Sequence, residues 1–162
     1  MTARVQDEAE GPYPRRHDPE SDRLELRVYQ ALTVAGGLFP LFGGVYGLMT
    51  FTEASAGEPL AAVAIGWFTL CLGIFGSLLT LYSGLRLPHD VEVSRHMMLA
   101  GAFLAPAAPA VGFVATAFVV AFHSWFGLVF LPAAGGGVLG ALPVLLAFVG
   151  SRHLTPRKTG LA

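Results

Sequence analysis

The side chains of this chain best suited to chemistry crowd into one polar stretch, residues 86–96, which reads Arg-Leu-Pro-His-Asp-Val-Glu-Val-Ser-Arg-His. His89, Asp90, Glu92 and His96 offer the imidazole and carboxylate ligands that divalent metals accept. Their spacing matches no familiar metal motif. The stretch is therefore expected to be a solvated connector, with Arg86 and Arg95 anchored near lipid phosphates. His17, His123 and His153 lie in tails or loops too, so no histidine pair is placed to hold a haem at depth. Cys71 is the single cysteine, which excludes an internal disulfide and a thiolate metal site. No metal or cofactor is expected.

The backbone offers a second kind of chemistry. Proline removes the hydrogen bond from its own nitrogen to the carbonyl four residues earlier. Pro106 and Pro109 would free the carbonyls of Ala102 and Ala105, and Pro132 and Pro143 those of Leu128 and Leu139. Pro40 is a further expected kink. Such carbonyls can coordinate a cation or polar solute, or they can be satisfied by local 3₁₀ turns or by neighbouring hydroxyls, for which Thr69, Ser77 and Thr80 are available. The second outcome is the expected one.

Motifs for known reactions are missing. There is no Gly-x-Ser-x-Gly elbow, no phosphate-cradling Gly-x-x-x-x-Gly-Lys-Ser/Thr and no His-Glu-x-x-His helix. Gly135, Gly136 and Gly137 lie inside an apolar run without a following Lys, so they are not a nucleotide loop. Trp67 is expected to pack or face lipid rather than bind a pigment. The chain is not expected to be an enzyme.

The elements that must position these groups are four apolar runs of 24 to 26 residues, at 28–51, 60–85, 97–122 and 127–150. At 1.5 Å per residue each is long enough for a hydrocarbon core of about 30 Å. None contains Asp, Glu, Lys, Arg or His. Hydrophobic residues make up 54% of the chain and charged residues 13%, half the usual share, so the bilayer is the expected solvent. Proton coupling normally requires an ionisable residue at depth, which speaks against a proton-driven antiporter.

All ten Lys and Arg residues fall before the first run, between the second and third, or after the fourth. The positive-inside rule then places both termini in the cytoplasm of a multi-pass cell-membrane protein. Tyr29 and Tyr82 mark the inner boundary, and Trp125 and Phe126 the outer one. Asp22 is the expected N-cap of the first helix, with Glu25 completing a capping box. Pro59 suits the first turn of the second helix, after a turn at Gly57. Residues 1–21 read as a disordered cytoplasmic tail, 22–150 as the four-span domain and 151–162 as a cytoplasmic C-terminal tail. The acidic, Arg-containing start is not expected to act as a secretory signal peptide.

Small residues trace seams along these runs. In the second, Ala62, Gly66, Thr69, Gly73, Gly76, Thr80 and Ser83 recur at alternating steps of four and three, beside a bulky stripe through Phe68 and Phe75. The first offers Thr33, Gly36, Pro40, Gly43, Gly47 and Thr50, and the fourth Ala133, Gly136, Gly140, Pro143, Ala147 and Gly150. The third carries Gly101, Ala105, Ala108, Gly112 and Ala115. Small residues let helix backbones approach where no hydrophobic drive exists, and a 3.5-residue repeat predicts left-handed packing. The motif Pro40–Gly47 also resembles Pro132–Gly140, a hint of inverted duplication.

The fold expected is an all-α, integral membrane four-helix bundle, up-down-up-down and antiparallel. The expected partners are the lipid bilayer and either another membrane protein or a second copy; a chain of formal net charge −1 is not expected to bind nucleic acid. Nine of the ten basic residues are Arg in an Ala/Gly-rich chain, which suggests a high-GC prokaryotic gene. An accessory, assembly or structural subunit of a larger prokaryotic membrane complex is the leading functional expectation. The alternative is an oligomeric permease or channel for a neutral or weakly polar solute, lined by Gly/Pro-broken backbone, in which Gly136→Leu or Gly140→Leu should abolish flux if they line the path.

Overall fold

In the computed structural model, which describes residues 19–119 and 128–153, every apolar run is helical within those bounds. The helices are α1 (Pro19–Ala54), α2 (Leu60–Arg86), α3 (Val91–Val119) and α4 (Phe130–Gly150), and a short 3₁₀ turn, Ser151–His153, follows α4. All four α-helices are long and apolar enough to cross a membrane. The expected outer turn at 123–126, the aromatic pair there and most of both tails lie outside the described residues.

Helix ends depart from the hydropathy boundaries for identifiable reasons. The chain is already helical at Pro19, so Asp22 lies within the first turn of α1 rather than capping it, and residues 19–21 belong to helix rather than tail. Proline favours a helix start, while Glu20 and Asp22 complement the positive end of the helix dipole. The eleven-residue polar connector shrinks to residues 87–90, because Asp90 Oδ1 accepts the Val93 N–H at 3.1 Å and starts α3 there. At the other turn, Gly57 takes a φ of 88°, and Pro59 stands at the N-cap of α2, one position ahead of the first turn.

Each helix packs against two neighbours: α1 and α3 each touch both α2 and α4, whereas the diagonal pairs scarcely meet. One apolar cluster joins Phe51 of α1, Ala62 and Leu70 of α2, and Phe130 and Ala133 of α4. A second joins Leu87, Met98 and Ala102 with Val144, and Tyr29 and Phe148 pack against it. Between the clusters the interior is built from small residues. All seven seam positions of α2 are buried, whereas Phe68 and Phe75 of the bulky stripe are exposed. In water such an outer face would be unstable; among lipid tails it costs nothing.

Candidate functional site

Two places collect the residues that sequence singles out: the polar end of the bundle and the small-residue seams. At the polar end the metal-ligand candidates are dispersed. Asp90 caps α3 and also faces Arg86 at 3.7 Å, a half-exposed ion pair worth less than about 1 kcal/mol. Glu92 and His96 lie on α3 itself, with His96 Nδ1 2.9 Å from the Glu92 carbonyl of its own helix. No group of three or more His, Cys, Asp or Glu residues converges among the described residues.

A different cluster forms beside them, one that sequence reasoning missed. The Arg95 and Arg152 guanidinium carbons lie 5.2 and 5.0 Å from the centre of the Phe148 ring. Both are within cation–π range. Phe148 and Arg152 are four residues apart, a spacing that does signal a local contact. The approach of Arg95 comes from α3 and leaves no trace in local sequence. Arg86, besides its pairing with Asp90, donates from Nη1 to the Tyr82 hydroxyl at 3.4 Å.

Along the seams, helix backbones meet directly. A methyl placed on Gly43 would lie 2.5 Å from the Pro132 carbonyl oxygen, and one on Gly136 2.9 Å from that of Phe39. Gly140 faces the Gly36 carbonyl and Pro40, and Gly47 faces Ala133. On the other side of the bundle, Gly73 faces Pro109 and Gly76 the Ala105 nitrogen. Gly66 differs, since its neighbour is the Phe51 ring. The two resembling motifs, around Pro40 and Pro132, are thus packed on one another.

The prolines belong to the same pattern. Pro40, Pro106, Pro109 and Pro143 sit inside helices that run through them unbroken, whereas Pro132 falls in the first turn of α4, where a missing N–H removes no helical bond. All five lie against a glycine of an adjacent helix: Pro40 on Gly140, Pro106 on Gly137, Pro109 on Gly73, Pro132 on Gly43 and Pro143 on Gly36. The Gly36 carbonyl, freed by Pro40, faces Gly140, and the Ala105 carbonyl, freed by Pro109, lies 3.3 Å from where a Gly73 methyl would be. Weak Cα–H···O contacts, about 0.5–1 kcal/mol each, account for this arrangement.

Of the expected local partners, the hydroxyls of Thr69, Ser77 and Thr80 do not fill that role. Thr69 donates to Ile65 at 2.9 Å, and Ser77 and Thr80 donate to Gly73 and Gly76 at 3.0 Å, all within α2. Buried hydroxyls of membrane helices pair with the preceding turn when no other acceptor is offered. No family model, curated protein or solved structure matches the chain.

Proposed function

We propose that this chain is a non-catalytic membrane module, an accessory, assembly or structural subunit of a larger prokaryotic membrane complex. It would cross the cell membrane four times in up-down-up-down order, with left-handed packing and both termini in the cytoplasm. The order is supported by the pairings Gly36 with Pro143 and Gly43 with Pro132, whose numbers run in opposite directions along α1 and α4. The orientation rests on the distribution of basic residues.

One observation carries the functional reading: among the described residues, the hydroxyls buried within the four apolar runs are taken up by their own helices. The buried hydroxyls of Thr33, Thr69, Ser77, Thr80, Ser83 and Thr116 all donate to carbonyls of their own helices. The four runs contain no Asp, Glu, Lys, Arg or His, the residues that normally carry proton or ion coupling at depth. Gly136 and Gly140, where a permeation path would run, are seated on the α1 backbone. A tight, chemically inert bundle with an aromatic outer face suits a scaffold.

The test is extraction in mild detergent followed by affinity capture, with photo-crosslinkers on exposed Phe42 and Phe68 in native membranes. A specific, larger membrane-protein partner is the expected result. Recovery of a lone monodisperse species, with no crosslinked partner from either face, overturns the reading. Reporter fusions at the two ends should lie on the same side.

A further inference from the structure

The outer groove between α3 and α4 joins a cationic end to an apolar floor. On α3, Arg95, Ala102 and Pro106 succeed one another at steps of seven and four, which keeps them on one helix face over about 16 Å. On α4, Phe148, Leu145, Ala141 and Val138 do the same at steps of three and four. Between them lies a groove of about 270 Å³ lined by Ala102, Phe103, Pro106, Val138, Ala141 and Leu145 among others, all apolar. Phe103 and Val138 are well exposed, so the groove opens to the outside of the bundle rather than into its core.

Beyond its lining, the same helix faces carry on to the Arg95–Phe148–Arg152 cluster, with Phe148 three residues past Leu145 and Arg95 seven before Ala102. Both guanidinium groups approach the same ring, so they stand no more than about 10 Å apart. Two like charges within that distance concentrate positive potential where an anion would be favoured. No carboxylate pairs with either among the described residues: Asp90 is engaged by Arg86, and Glu92 forms no ion pair. Arg95 Nε is buried without a hydrogen-bond partner. Arg95 itself is part-buried and Arg152 exposed, so an oxygen reaching Arg95 Nε would satisfy a charged donor at the edge of the bundle.

We propose that this groove binds one anionic phospholipid, with its phosphate between Arg95 and Arg152 and an acyl chain along Ala102, Pro106, Val138 and Ala141. Guanidinium forks match phosphate oxygens, and the ring of Phe148 holds both forks at the mouth. A free phosphate would use only the mouth and leave the apolar length below it empty. A phospholipid uses both. The proposal rests on the membrane-spanning reading of the helices, whose own failure would show separately, as release of the protein from vesicles by carbonate.

The experiment uses the full chain in nanodiscs of phosphatidylcholine with or without phosphatidylglycerol, with retained lipid counted by native mass spectrometry. Preferential retention of phosphatidylglycerol is expected. Arg95→Gln with Arg152→Gln should weaken that preference about 25-fold, from about a fivefold contribution of each arginine. Arg86→Gln, at a cation already paired with Asp90, should leave it unchanged. Ala141→Phe, which fills the groove and keeps both arginines, should also expel the lipid. Equal retention by the double-arginine variant, an equal loss in Arg86→Gln, indifference to Ala141→Phe, or displacement of the lipid by inorganic phosphate overturns the proposal. Should the double variant fail to fold, Ala141→Phe decides alone.

Discussion

Replacing Gly140 by Val is expected to loosen α1 from α4 and cost about 3 kcal/mol of folded-state stability, at the upper end for overpacking a close interface. The argument lies in what the new side chain would strike. At Gly140 the obstacles are the Gly36 carbonyl and the Pro40 ring. Neither can rotate aside, because one is backbone and the other is locked to it. The α1–α4 seam would have to part at its middle, losing neighbouring contacts at Gly43 and Gly136 as well. Helix association in lipid depends on van der Waals contact and close polar approach, so a separation of even an ångström is felt along the seam. Gly135, five residues away and on the outside of α4, is the internal control, since a methyl there meets nothing within 4 Å. Gly135→Val should lie within about 0.5 kcal/mol of the parent, as surface substitutions do. Unfolding in a mixed-micelle denaturant titration distinguishes the two, and equal midpoints for Gly140→Val and Gly135→Val would refute the backbone-contact account.

The four helices were legible because lipid imposes a crude rule: apolar runs of membrane length must be helical to satisfy their own backbone. The buried face of α2 was legible for a subtler reason, since only small residues recur there and their period reveals the face. Which seam meets which was not. A period reports a direction around one helix and says nothing of its partner, so the pairing of Gly36 with Val144, or of Gly101 with Thr80, emerges only in three dimensions. Polar segments were misread for the opposite reason. Hydropathy falls at Arg86 and stays low to His96, yet α3 starts at Val91, because a single Asp90 side chain caps it. A helix can continue past the apolar boundary without any change in composition that marks it. The Arg95–Phe148–Arg152 cluster was hidden in the same way: it straddles two helix ends that appear in sequence as separate, ordinary charged flanks.

Phe51 and Gly66 are expected to behave as one packing unit, and a double-mutant cycle exposes it. Phe51 is fully buried at the end of the first run, with its ring edge-on to Trp67 at 6.5 Å and to Phe130 at 5.7 Å. Any side-chain carbon on Gly66 would collide with that ring. Phe51→Ala leaves a cavity, for which water-soluble cores lose about 3–5 kcal/mol. In the bilayer proposed for this chain, lipid tails are as apolar as the core, so the transfer part of that loss vanishes and the packing part, about 2 kcal/mol, remains. Gly66→Leu alone should cost about 1–3 kcal/mol, because the ring is enclosed by Trp67 and Phe130 and has little room to retreat. In the double variant the new leucine enters the space the ring vacated. Each change then repairs the damage of the other, and the combined loss should fall short of the sum by at least about 1 kcal/mol. The same denaturant titration measures all three variants. Strict additivity, within about 0.5 kcal/mol, would mean that Gly66 is small for some reason other than the ring that lies against it.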